Sequence, residues 1–244
     1  MSAILAGKVA LVSGAGRGLG RALSQALAGA GAAVAAQDLS PIHLDATAAA
    51  VRAAGGSIRT YTGETGKGLP AGVLMDEVLD DFQRIDLLFH CAWARPASAL
   101  LELDEWDWQR TFETNVASPY LLLKLAGRLM REQGSGTVGI FAVDAASPPA
   151  FAASQAARLA LARAAAAEFS AYNIAVFAVC LGENQSISGE APLPPGDGTS
   201  ALAHAVDQAV QLALQLAAPG ALRSSPPGDV IFRPIQDANP FPAE

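Results

Sequence analysis

Residues 8–30 read KVALVSGAGRGLGRALSQALAGA. The first six form an apolar run closed by a glycine, the pattern of a short strand buried on both faces. A helical pattern then runs through Ala30. Between the two lies a turn with glycines at positions 14, 16, 18 and 20. Glycines there permit positive φ and close backbone approach, and the following helix N-terminus presents free N–H groups and a partial positive charge. Such a turn suits phosphate. A second strand, Ala32 to Gln37, ends in Asp38, whose carboxylate can bond ribose hydroxyls and would repel a 2′-phosphate. Gly14, Arg17, Gly18, Leu19, Gly20 and Asp38 are therefore candidate dinucleotide-binding residues, and they favour NAD over NADP. The plainer account is that these glycines only make a tight strand-to-helix turn.

Working outward, strands and helices alternate to the end of the chain. Pro41 opens a helix that Gly55 and Gly56 stop, Ser57 to Tyr61 is a third strand, and Ala71 to Gln83 is helical. Ile85 to His90 is a strong fourth strand. Asp104 caps a long helix over Glu105 to Gln133, Thr137 to Val143 is the fifth strand, and Ala152 to Ala171 is an Ala-rich helix. Ile174 to Cys180 is the sixth strand, residues 183–200 form a Pro-rich loop, and Leu202 to Ala217 is helical. Asp229 to Phe232 is a last short strand before the tail, residues 235–244. The alternation predicts one α/β domain over residues 1–244, a doubly wound parallel sheet with helices on both faces.

Hydrophobic content of 51% supplies ample core, and a net charge of −7 without a basic cluster argues against nucleic acid or an anionic membrane surface as partner. No apolar run is long enough to span a bilayer and the N-terminus carries no export signal, so a cytoplasmic location is expected. Cys91 and Cys180 each end an apolar run and read as free thiols rather than a disulfide. His43, His90 and His204 show no ligand spacing, so no metal site is expected.

The glycine spacing, with DLLFHCAW (86–93), WQRTFETNVASPY (108–120), FAASQ (151–155), CLGENQS (180–186) and the strand after Gly228, resembles the short-chain dehydrogenase/reductase family along nearly the whole chain. The resemblance implies a seven-stranded parallel Rossmann sheet and dimers or tetramers joined through the two long helices. It also implies hydride transfer between a nicotinamide and a carbonyl or alcohol. It adds Ala92, Trp93 and Gly182 to the candidate cofactor residues, with Gly63, Glu64 and Ser186 at further contact positions.

In that family a tyrosine is the acid/base, a lysine lowers its pKa, a serine polarises the substrate oxygen and an asparagine supports a water relay. Here the matching positions hold Phe151, Gln155 and Val143 (with Asp144 beside it), and only Asn115 survives. The lysines are Lys8, Lys67 and Lys124, so no lysine follows the site to rescue the register. Loss of a general acid alone typically costs ~10²–10⁴ in rate. Asp144 is the one ionisable side chain at the junction and reads more readily as a turn cap than as a substitute acid, while Ser147 lacks a base. Arg158, one turn past Gln155, is expected at the surface or between subunits. The expectation is a non-catalytic subunit, homo-oligomeric or paired with an active paralogue, or a dinucleotide-binding protein. The alternative is an NAD-dependent oxidoreductase with a site rearranged around Asp144 and Asn115.

Overall fold

The computed structural model describes residues 4–144 and 148–182, with 211, 213–215, 217 and 233–234; at 144, 181, 182, 233 and 234 the backbone alone is described. The strands are β1 (Val9–Ser13), β2 (Ala33–Asp38), β3 (Ser57–Thr62), β4 (Leu87–His90), β5 (Gly136–Asp144), β6 (Ile174–Gly182) and β7 (Arg233–Pro234). The helices are α1 (Gly18–Gly29), α2 (Pro41–Ala53), α3 (Gly68–Phe82), α4 (Glu105–Phe112), α5 (Ser118–Gln133) and α6 (Pro149–Phe169). They build one seven-stranded sheet of order β3-β2-β1-β4-β5-β6-β7, parallel at every pairing. The expected α/β architecture is thus present. Its order reverses between β1 and β4, and in open parallel sheets that switch opens a crevice at the carboxyl ends of the strands.

Side-chain alternation sorts the core into two layers. Ala10 and Val12 of β1 face one layer, with Leu19, Leu23 and Leu27 of α1 and Leu44 of α2. Leu11 faces the other, with Leu74 and Val78 of α3, Leu122 and Met130 of α5 and Ala162 and Ala166 of α6. At the amino edge of the switch, the buried Asp86 carboxylate accepts from the Val9 amide at 3.0 Å and from Lys8 Nζ at 2.9 Å, tying the base of β4 to β1.

The structure departs from the sequence pattern in the long helix. Instead of one helix over 105–133, α4 and α5 are separated by a π-turn at Glu113–Ala117. Pro119 explains it: proline has no N–H to give to the carbonyl four residues back, which is Asn115, and its ring crowds that carbonyl. Similarly α6 begins at Pro149, three residues earlier than the pattern suggests, because proline at the first helical position is pre-set for the helix. The expected strand at Asp229–Phe232, loop 183–200, Ser147, Ser186 and tail 235–244 lie outside the described residues, and the helix expected over Leu202–Ala217 is described only at 211, 213–215 and 217, where Ala213 and Ala217 pack into the first core layer.

Candidate functional site

The glycine loop crosses the switch crevice. Gly14 has φ +76°, and a Cβ on it would lie 2.5 Å from the Ala92 amide nitrogen, so the loop is pressed against the exit of β4. A Cβ on Gly20 would meet the Gly14 carbonyl oxygen at 2.0 Å, so α1 also starts in backbone contact with the loop. Arg17 is the N-cap, extended, and its side chain makes no capping hydrogen bond to the first amides of α1. Leu19 is buried in the core layer and supports the loop from beneath. Asp38 bonds the loop itself: its carboxylate accepts from the Gly16 amide at 2.9 Å and from the Ser40 amide at 3.1 Å. Sequence reasoning missed Arg21. Its guanidinium donates to the Gly16 carbonyl at 2.6 Å and to Thr47 Oγ1 at 3.1 Å, clamping the loop to α2. Its position one turn after Arg17 was the available signal.

Asn115 is fully buried in the π-turn. Its Oδ1 accepts from the Ala94 amide at 2.7 Å, and its Nδ2 donates to the Ala94 carbonyl at 2.9 Å and to Ser154 Oγ at 2.8 Å. Both amide protons are therefore committed to holding the loop after β4 against α6. Phe151 is 2% exposed, with the Trp93 ring edge-on at 6.3 Å and the Arg95 guanidinium 5.2 Å above its centroid. Gln155 is buried too. Its Oε1 accepts from the Val143 amide at 3.0 Å, while its Nε2 has no hydrogen-bond partner among the described residues. The Val143 side chain is buried in the first core layer. Asp144 ends β5 opposite Gly182, the end of β6; both are described by backbone alone. Glu64, the residue left to replace the side chain that Gly63 lacks, forms an ion pair with Lys67 at 3.3 Å.

Arg158 is not at the surface. It is completely buried and donates to the His90 carbonyl at 2.8 Å, to His90 Nδ1 at 2.6 Å and to the Ala92 carbonyl at 2.9 Å. The expectation failed because it weighed the level of the side chain along the helix and not its face. Phe151, Ser154, Gln155 and Arg158 follow the three- and four-residue spacing of one buried stripe. Burial pulls the guanidinium down to about 10, so it stays a cation at neutral pH. Its centre lies 5.8 Å from the Trp93 ring. The geometry also sets the His90 tautomer. Arginine only donates, so Nδ1 accepts and the proton sits on Nε2, which donates to Ser118 Oγ at 2.8 Å. The Ser118 and Thr65 hydroxyls share a hydrogen bond of 2.6 Å in which either can donate. Burial and the neighbouring Arg158 charge hold the imidazole well below its ordinary pKa. Burial pushes the Cys91 thiol up to about 12, so it is no thiolate at neutral pH.

Against a nicotinamide dinucleotide, the two ends of the crevice differ. The loop amides and Asp38 suit a diphosphate and a ribose diol. The other end does not suit a reacting nicotinamide: Phe151 has no proton to give, Gln155 is neutral, and the Trp93 ring and Arg95 guanidinium pack against Phe151. Among the described residues no three His, Cys, Asp or Glu side chains gather as a metal site, and no helix is long and apolar enough to cross a membrane.

Comparison with known proteins agrees with the fold. The family model described as short chain dehydrogenase matches residues 8–188. An uncharacterized oxidoreductase of Thermotoga maritima is 32% identical over 187 residues, covering 74% of this chain and 73% of its own. A crystal structure of a short-chain type dehydrogenase/reductase from Mycobacterium marinum is 26% identical, with a TM-score of 0.79 over 96% of this chain and 98% of its own. Xylitol dehydrogenase, solved with NAD+ bound, shares the fold at 24% identity, with a TM-score of 0.80 over 96% of this chain and 99% of its own.

Proposed function

The chain belongs to the short-chain dehydrogenase/reductase family, and on that premise we propose that it has given up hydride transfer and serves as a nucleotide-binding, non-catalytic subunit. One observation carries the reading. At the positions matched to the family's tyrosine and lysine stand a buried Phe151 beneath Trp93 and Arg95, and a Gln155 whose carbonyl oxygen is taken by Val143. An alkoxide formed there would find neither a proton donor nor the cation that tunes one. NAD is preferred over NADP, because the Asp38 carboxylate at the end of β2 opposes a 2′-phosphate.

Assembly with a second copy or an active paralogue is proposed through α5 and α6. Between them runs a groove of about 360 Å³ lined by Tyr120, Lys124, Gly127, Leu161, Ala164 and Phe169, among others. A cytoplasmic location accords with this role. The rival reading, an NAD-dependent oxidoreductase using Asp144 with Asn115, draws support from the relative named as an oxidoreductase. It is weakened by Asn115, whose amide protons are already committed to Ala94 and Ser154. The test is NADH consumption by the purified chain against a panel of aldehydes and ketones, and NAD reduction against alcohols. The expected outcome is no turnover in either direction. Turnover abolished by Asp144→Asn would establish the rival.

A further inference from the structure

The switch crevice is furnished on one side and filled on the other. On the β1–β2 side lie the first amides of α1, which the Arg17 side chain does not cap, the half-buried Asp38 carboxylate and, within four residues of it, the exposed side chains of Leu39 and Ile42. Anion-binding amides, a carboxylate and apolar surface match the three chemistries of a nucleoside diphosphate: phosphate, ribose diol and base.

On the β4–β5 side the protein's own side chains pack in the order Arg158, Trp93, Phe151, Arg95, two rings between two cations. The stack is anchored from below. Arg158 is fully buried and bonded to the His90 and Ala92 carbonyls, the two residues that flank Cys91 at the β4 exit. It is held from the side as well, since Asn115 bonds both the amide and the carbonyl of Ala94, fixing the backbone between Trp93 and Arg95. Trp93 also packs against the first core layer. With Phe151 only 2% exposed and Trp93 and Arg95 against its ring, a ligand group reaches that ring only if a covering side chain moves.

We propose that this stack is a built-in stopper, with Trp93 the residue that sets specificity. The crevice takes a ligand that ends at its diphosphate, of the nucleoside diphosphate class, and excludes the second nucleoside of a dinucleotide. The inference rests on the reading that the glycine loop still binds nucleotide, and it narrows that reading.

Isothermal calorimetry of the full chain with ADP, NADH and nicotinamide mononucleotide tests it. ADP and NADH should bind within about threefold of each other, and the mononucleotide should not bind. In Trp93→Gly, NADH should gain about tenfold or more over ADP. Wild-type protein that binds NADH about tenfold more tightly than ADP overturns the stopper, as does an unchanged ratio in a folded Trp93→Gly variant. If that variant does not fold, the wild-type ratio still decides, and Arg95→Ala, which strips the outer cation from Phe151, should move the ratio in the same direction by less. No binding of either nucleotide overturns this inference and the nucleotide-binding part of the function, while the loss of hydride transfer stands. Turnover of NADH with a carbonyl removes the non-catalytic reading instead.

Discussion

Arg158 donates three hydrogen bonds inside the protein, and no carboxylate among the described residues bonds it. Truncating it to Met would leave the His90 and Ala92 carbonyls without those donors, each a buried acceptor worth about 1–3 kcal/mol when stranded. Arg158→Met should therefore lose about 3 kcal/mol of stability, read as a lower urea midpoint. Arg158→Lys should recover less than half of that, because a single ammonium cannot span three acceptors as a planar fork does. A larger recovery would mean that charge, rather than fork geometry, is what the site needs. The spacing Phe151, Ser154, Gln155, Arg158 made this burial legible in principle. The partners of Arg158 were not legible, because the carbonyls that hold it lie more than sixty residues away in sequence.

Between elements, the chain from His90 through Ser118 to Thr65 ties the exit of β4 to the first turn of α5 and to the turn before α3. It requires a neutral imidazole, since Nδ1 must accept. An unfolded histidine titrates near 6.5, whereas the folded one is held well below that. Below pH ~6.5 the unfolded chain thus binds more protons than the folded one. Stability is full above that pH and falls as pH drops, by at most about 1.4 kcal/mol per unit. Urea midpoints at pH 7.5 and 5.5 should show the fall in the wild type and a smaller one in His90→Gln; equal falls would remove His90 from the account. The π-turn beside this chain was hidden in the sequence only because the helical periodicity of 105–133 was read through Pro119.

At the scale of the molecule, the alternation of apolar runs and helical patterns made the parallel sheet legible, and the glycine spacing located the crevice on it. What fills the crevice was not legible. It depends on where Trp93 turns, and that is set by a guanidinium from α6, a ring at the start of the same helix and an amide from the π-turn. No local pattern in DLLFHCAW contains those partners. The buried Arg158 also bears on the chain's history. Restoring a lysine at 155 would set a second cation about 5–6 Å away on the same helix face. At an effective dielectric of 20 that repulsion is about 3 kcal/mol, before any cost of burying the new charge. Gln155→Lys should thus destabilise this protein far more than it does an Arg158→Leu background, which a double-mutant cycle would measure. On the proposed reading a lysine at 155 is locked out while Arg158 stays: the arginine would have to leave before the lysine could enter, a step added to the changes that Phe151 and Val143 would need.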